Sequence, residues 1–455
     1  MVEVTVFHIG TTNLNPIKLD DGQIVTDGSI RDVHEDMKRV TSHQIEWGVL
    51  AEEYGFDRYV MPEHHFEAPG PEHSANPLMS QMAVAAQTDE IKLAQGGNII
   101  TWHEPVRFAE CAAMLDIVSE GRAEIGIGRG YQPRENEVLG QWWGGSVQDQ
   151  EENRQSFKEK WEIIEKAWTE DLFSYYGNYH YYPPKHTKWH HSMEKRWLES
   201  DLTDHELEEM IEWKEGDMYS EGLWNSVVGG GSLLKSFPVY PQPLQEPYPQ
   251  IWLPMTSPRT IEYGAKNGFN GFFTLQPPKV MKQCIDMYMD FAEEAGWPDR
   301  LEEYDGEPFK RGWDEERGRG CMVGRFIFNT DVPGHDEETL ERWKFGLEHG
   351  WAYFGPFGFA SVLSDVDEDP IDPDTTVTAE MLIERDIAMV GDTDELKDKI
   401  AQFKETLQFD DFNFEAWFEV AGFQPEESNA QLKHFGENII PWLREEYPSP
   451  GEPGY

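Results

Sequence analysis

"IKLAQGGNIITWHEPVRFAECAAMLDIVSEGRAEIGIGRG" (Ile91–Gly130) reads as strand, helix, strand. The first and last segments are short, nearly continuous apolar runs. The middle, Val106–Ser119, is a longer run with helical spacing. A strand that is apolar at successive positions is covered on both faces, which is the condition of a parallel sheet with helices packed on either side.

Working outward, the same unit recurs. Upstream lie "VEVTVFHI" (Val2–Ile9) with a helix predicted over Ser42–Tyr54, and "DRYVM" (Asp57–Met61) with "PLMSQMAVAAQT" (Pro77–Thr88). The strand Ala123–Gly130 is followed by a long helix, Asn153–Trp168. Downstream come "QIWLPM" with "RTIEYGAKNG", "FNGFFTL" with "KVMKQCIDMYMDFAEEAG", "MVGRFIFN" with helical segments, and "DDFNFEAWF" with "NAQLKHFGENIIPWLREEY". Eight strand–helix units predict an α/β fold, a (β/α)₈ TIM barrel, over residues 1–455 as one domain.

Two segments depart from the regular unit. Residues 184–236 are polar, charged and rich in Trp, and end near Gly229–Gly231. They read as a large insertion after strand 4, on the barrel face where active sites form, and so as a lid with a glycine hinge. A surface ornament without catalytic role is the other reading. The Pro/Gly-rich tail, residues 447–455, is expected to be disordered.

Composition bounds the class. Thirteen per cent aromatics, with 17 Trp, is enough ring surface to form a core. The 38 basic and 86 acidic residues give a net charge of −48, spread along the whole chain. Such a surface repels phosphate backbones and anionic lipids, so neither nucleic acid nor membrane is an expected partner. It suits the salt-rich cytosol of a halophile, where the Debye length is short. Three separated cysteines indicate neither a disulfide framework nor a zinc site. The first residues lack a signal-peptide pattern and no run of 18 apolar residues occurs, so a cytoplasmic protein is expected.

Three groups carry chemistry. "EHH" (Glu63–His65) ends the second strand, on the catalytic face; alternation along a strand sends His64 and His65 in different directions and disfavours joint metal ligation. "GRAEIGIGRGYQPRE" (Gly121–Glu135) brings Gly128, Arg129 and Gly130 to the end of the fourth strand, where a backbone and a guanidinium can approach a flat or anionic ligand. "PMTSPRTIEYGAKNG" (Pro254–Gly268) runs from a strand into a helix, with Met255, Thr256, Ser257 and Thr260 at the junction. Hydroxyls and free N–H groups at a helix N-terminus suit phosphate, although Ser before a helix is also an ordinary cap. On one barrel face, the last two groups suggest a planar cofactor bearing phosphate.

"YGFDRYVMPEHHF", "HEPVRFAECAAMLDIVSEGRAEIGIGRGY", "FPVYPQPLQEPYPQIWLPMTSP" and "MVGDTDELKDKIAQF" together resemble bacterial luciferase and the wider luciferase-like flavin monooxygenases, in order and spacing. The resemblance implies a TIM barrel that takes reduced FMN from a separate flavin reductase and uses oxygen to oxygenate a small organic substrate. By the same resemblance His64, with His65 beside it, is catalytic; Arg129, Ser257 and Thr260 contact flavin phosphate; and Gly96–Gly97 falls where the family often has a non-prolyl cis peptide beneath the flavin ring. Gly128, Met255 and Thr256 complete the expected cofactor contacts, and Trp102, His103 and Trp224 are expected to line the substrate cavity or lid. No metal is expected. A homodimer is implied by the family alone. Gly128 stands where the light-emitting subunit has a cysteine, and Thr256 where it has a glutamate, which argues against luminescence. The family also contains enzymes that use a deazaflavin coenzyme for hydride transfer without oxygen, and proteins that hold flavin without turnover.

Overall fold

The computed structural model describes residues 2–140, 149–185, 187, 192–200, 202–213, 232–295, 320–408 and 412–447. The chain forms two compact units. One comprises residues 1–99, 115–128 and 249–455; the other comprises residues 100–114 and 129–248.

The first unit is the barrel. Its strands are β1 (Glu3–Phe7), β2 (Arg58–Met61), β3 (Lys92–Gln95), β4 (Ala123–Gly128), β5 (Ile251–Pro254), β6 (Asn270–Phe273), β7 (Cys321–Asn329) and β8 (Phe412–Trp417). Each pairs in parallel with the next. β8 then pairs in parallel with β1, with Glu3 opposite Asn413 and Phe7 opposite Trp417, which closes the ring. All eight strands lie where the apolar runs predict them. A further short strand, Ala388–Gly391, pairs with the second half of β7.

Closure leaves an interior that side chains must fill. At the N-terminal ends of the strands the filling is ionic. The fully buried Arg58 guanidinium lies 2.6 Å from Glu124 and 2.8 Å from Glu3, donates to Thr5 Oγ1, and stacks over the Trp252 ring at 5.0 Å. Lys92 reaches Glu3 at 2.5 Å. Burial pushes the Glu3 carboxyl up, but Arg58 and Lys92 together outweigh it and hold the group far below the usual carboxylate range; Glu124 is lowered on the same balance. At the C-terminal ends the filling is aromatic: Phe7 stacks on Trp417 at 4.7 Å, Phe326 meets Trp417 edge-on at 4.8 Å, and Phe272 lies 6.0 Å from Phe7. Between the layers Glu415 accepts from Trp417 Nε1 at 2.5 Å; burial pushes its carboxyl well above the usual range, against the opposing pull of the Trp417 bond and Arg58.

Two local expectations are corrected. The first helix runs over Ile30–Glu53, twelve residues longer at its start than Ser42. Ser29 and Asp32 form a reciprocal capping box there, and only Val33, Asp36 and Val40 of the extra turns are buried, so apolar periodicity gives no sign of them. The third strand breaks at Gly96–Gly97 and resumes as Asn98–Ile99 against Ile127 and Gly128. That glycine pair is trans; the cis bonds among the described residues all precede proline. Close packing requires the glycines instead. A Cβ on Gly97 would stand 2.9–3.0 Å from the Ile127 backbone, and one on Gly96 would stand 2.7 Å from the Phe7 ring.

The second unit is built on the helix Gln150–Thr169, whose Trp161 and Trp168 rings pack with Tyr248. Lys160, on the same helix and fully buried, donates to the carbonyls of Thr101 and His103, both at 2.8 Å. Burial lowers its amine to about 7, against the opposing pull of Glu104 and Glu159. Within residues 184–236 the described part includes helices Ser192–Leu198 and Leu207–Met210 and an antiparallel pair, Ile211–Trp213 with Ser232–Leu234. Trp224, Gly229–Gly231 and residues 448–455 of the tail lie outside the described residues. No helix among the described residues is long and apolar enough to cross a membrane.

Arg58→Ala is expected to cost about 3–5 kcal/mol, because it leaves buried carboxylates without their counter-charge. Denaturant unfolding in high salt measures this, and a loss below about 1 kcal/mol would show that the network is not what fills the barrel base. Since Glu3 and Glu124 titrate lower in the folded chain than unfolded, their contribution is complete above the unfolded glutamate range, near about 4.3, and falls away as the pH drops through and below it.

Candidate functional site

In a closed parallel barrel the loops after the strands carry the chemistry. β2 ends at Met61 and releases the chain into a loop that returns to the helix Pro77–Ala85. The return is fixed by backbone contacts: Gly70, at φ +70°, donates to Glu67 O at 2.8 Å; Thr12 N donates to Gly70 O at 2.7 Å; and His64 pairs with Ser74 as an antiparallel bridge. A Cβ at Gly70 would be strained by that φ and crowd Thr12 and Met37.

The two histidines take different partners. His64 Nε2 lies 2.8 Å from Glu72 Oε2, and its Nδ1 lies 3.7 Å from Glu67 Oε1. His65 Nε2 lies 3.3 Å from Glu63 Oε1, while the other oxygen of Glu63 accepts Ile99 N at 2.6 Å. Glu63 thus ties the end of β2 to the resumed third strand, next to Gly97. Sequence alternation anticipates the divergence of His64 and His65; nothing in the sequence marks Glu67 and Glu72 as the partners of His64, because the loop geometry alone brings them back.

Met255 is fully buried under the helix Pro258–Lys266, where a Cβ on Gly264 would stand 2.2 Å from its Cε, and its amide donates to Phe272 O. Thr256 is exposed. Ser257 is the N-cap of that nine-residue helix: its Oγ accepts Thr260 N at 3.4 Å and lies 3.0 Å from Thr260 Oγ1. The two hydroxyls therefore sit together at a helix N-terminus. Gly128 is buried, and a Cβ there would stand 2.9 Å from Ile99 Cδ1.

In the second unit, Arg129 donates to Asn153 Oδ1 at 2.9 Å while Asn153 Nδ2 donates back to Arg129 O at 3.2 Å; Thr101 Oγ1 also donates to that carbonyl, at 3.0 Å. Burial first, then neighbouring Arg154, lower the Arg129 guanidinium, and Glu151 opposes them. Trp102 is buried and donates from Nε1 to Asn136 Oδ1 at 3.0 Å; the His103 ring is 5.6 Å from Phe108. Asn153 and Lys160 are the residues that the sequence did not single out here.

Two sets of donor atoms lie within 4.8 Å of one another, His64–Glu67–Glu72 and the buried His8–His43–Glu419. In each, a histidine nitrogen lies 2.8 Å from a carboxylate oxygen. Neither contact has hydrogen-bond geometry: Glu72 Oε2 and His8 Nδ1 are buried and make no hydrogen bond among the described residues. Glu419 Oε2 also accepts Ile9 N at 2.9 Å, so it serves as an anchor for the chain leaving β1.

With this geometry in place, residues 24–196 match the family model described as luciferase-like monooxygenase. Over that segment the chain is similar to luciferase-like monooxygenases. The oxygenase component of the flavin-dependent trigonelline monooxygenase of Acinetobacter baylyi is 22% identical over 421 residues, covering 90% of this chain and 91% of that one. Matches to three further curated relatives are partial, spanning 41%, 28% and 26% of their lengths. Among solved structures, the FMN-bound oxygenating constituent of 3,6-diketocamphane monooxygenase from Pseudomonas putida superposes with a TM-score of 0.59 at 19% identity, covering 89% of this chain and 94% of that one. An F420-dependent secondary alcohol dehydrogenase with an F420–acetone adduct gives 0.57 at 14% identity, covering 96% and 98%. At these identities the two structures share the fold.

Gly97→Ala is expected to destabilise the barrel by about 1–3 kcal/mol through overpacking against β4. Gly350→Ala, inside a helix with nothing within 4 Å of its Cβ position, is expected to add about 0.5–1 kcal/mol. Thermal midpoints of the two variants check the contrast; equal shifts would contradict it.

Proposed function

We propose that this protein is the oxygenase component of a two-component monooxygenase, taking reduced FMN from a separate flavin reductase and oxygenating a small organic substrate. The observation that carries the reading is His64, paired with a carboxylate at the C-terminal end of β2, inside the segment that matches the luciferase-like family. The relative from Acinetobacter is named an oxygenase component, which fits a reductase partner. The flavin, when bound, would supply the electrons that activate oxygen.

The residues present fit such a group. Arg129, beside Arg154, offers guanidinium donors to a phosphate, and the Ser257–Thr260 hydroxyls with the helix start at Pro258 offer a second phosphate-compatible set. His64 handles the proton that oxygen chemistry requires, since an imidazole can exchange a proton near neutral pH. Trp102 and His103 are assigned to the substrate side of the site. A halophile's cytoplasm is the setting that the charge of −48 suits, and a homodimer is the assembly we infer from the family. The second reading, deazaflavin-dependent hydride transfer without oxygen, draws on the shared fold of the F420-dependent dehydrogenase.

His64→Ala is expected to keep flavin affinity while releasing more hydrogen peroxide per reduced flavin consumed in air. A wild-type peroxide yield would remove His64 from the mechanism. Arg129→Ala is expected to weaken FMN binding roughly tenfold or more, the worth of a charge-assisted hydrogen bond of about 1.5–3 kcal/mol. An unchanged dissociation constant by fluorescence titration would overturn the phosphate assignment.

A further inference from the structure

We propose that His8, His43 and Glu419 form a buried site for one divalent transition-metal ion of the zinc kind, at the seam where the barrel closes. The site is independent of the flavin assignment. Its residues come from the chain leaving β1, the helix Ile30–Glu53 and the chain leaving β8. Their donor atoms lie within 4.8 Å of one another, and all three side chains are buried, His8 completely.

The cluster is not held together by hydrogen bonds of its own. Neither ring nitrogen of His8 makes one among the described residues, although Nδ1 stands only 2.8 Å from Glu419 Oε2. His43 Nδ1 stands 3.9 Å from Glu419 Oε1, beyond hydrogen-bond reach. The other nitrogen of His43, Nε2, lies 3.0 Å from Asn429 Oδ1. An amide oxygen only accepts, so Nε2 carries the hydrogen and Nδ1 of the neutral ring presents a lone pair towards Glu419. An outer bond of this kind is what orients a metal-ligating histidine. Burial lowers the His8 imidazole below its ordinary value, with Glu419 opposing, and the neutral form is the one that ligates. Among the described residues, the neighbours of Glu419 at ion-pair distance are these two histidines. A buried carboxylate so placed needs a positive charge, and a cation between the three donors supplies it.

The donor set selects the ion. Ligand atoms about 2.0–2.1 Å from zinc stand roughly 3.3 Å apart in a tetrahedron. The observed separations of 2.8 and 3.9 Å bracket that value. Two imidazoles and a carboxylate suit zinc and its first-row neighbours, whereas magnesium and calcium prefer oxygen ligands. An ion held there joins β1, β8 and the first helix, and so stabilises the closed ring. Sequence spacing conceals the site, because its donors meet only once β8 pairs with β1.

The full-length protein is stripped with a chelator, returned to high salt with excess Mg²⁺ to occupy surface carboxylates, and titrated with Zn²⁺ and with Co²⁺. One equivalent of zinc is expected to survive desalting, and cobalt is expected to give visible absorption that zinc abolishes. His43→Gln and Glu419→Gln are each expected to weaken zinc binding roughly a hundredfold, and Asn429→Ala roughly tenfold. Asn429→Ala leaves all three ligands in place, so it decides the matter if a ligand variant does not fold. The rise in thermal midpoint that zinc causes in the wild type is expected to vanish in Glu419→Gln. His64→Ala, which removes the other donor set, is expected to bind zinc as the wild type does. No stoichiometric zinc in the presence of Mg²⁺, equal affinity in the wild type and Asn429→Ala, or loss of binding in His64→Ala would each overturn the proposal.

Discussion

Closure of the sheet is the constraint on which the rest depends. β1 and β8, some four hundred residues apart in sequence, pair in register from Glu3–Asn413 to Phe7–Trp417. Once that ring closes, its interior excludes water, and every side chain pointing inward must be either paired or apolar. The protein answers with charge at one end and rings at the other. The Arg58 guanidinium, between Glu3 and Glu124, neutralises the base; Phe7, Trp417, Phe326 and Phe272 make the floor beneath the C-terminal face. Glu415 joins the two layers by accepting from Trp417.

That floor sets what can happen above it. Gly96 packs on Phe7, and Gly97 lets the third strand approach the Ile127 backbone so closely that the strand breaks and resumes. Glu63 then bonds the resumed strand at Ile99, and His64 follows it into the loop where Glu72 waits. Packing in the barrel wall and placement of the candidate catalytic ring are thus one chain of contacts within a single compact unit. Of the 38 basic residues, Arg58 and Lys92 lie in the barrel base, and Arg129 and Arg154 lie in the second unit.

All eight barrel strands were legible because a strand covered on both faces is a nearly continuous apolar run, and such runs as "MVGRFIFN" admit few other readings. The start of the first helix was not, because the capping box at Ser29 and Asp32 precedes three turns that bury little. The position of "EHH" at a strand end was readable, as was the divergence of its two rings. The pairing of His64 with Glu72 was not, since it depends on the left-handed turn at Gly70 and the bridge to Ser74, which leave no periodic mark. The need for glycine at Gly96 and Gly97 was visible, but its cause is strand-to-strand crowding and not a cis bond. Lys160 was hidden for a different reason: a lysine in a polar helix reads as solvated, and only the packed unit shows it capping two carbonyls.

The central claim is that this barrel works on oxygen with reduced FMN. The most direct test is an anaerobic titration of the purified protein in high salt with reduced FMN and, separately, with reduced deazaflavin coenzyme, followed by admission of air while absorbance is recorded. The account predicts tight binding of reduced FMN and an oxygen-dependent absorbance change that decays more slowly than with free flavin. Binding of the deazaflavin alone, with no response to air, would contradict it and make the protein a hydride-transfer enzyme on the same scaffold.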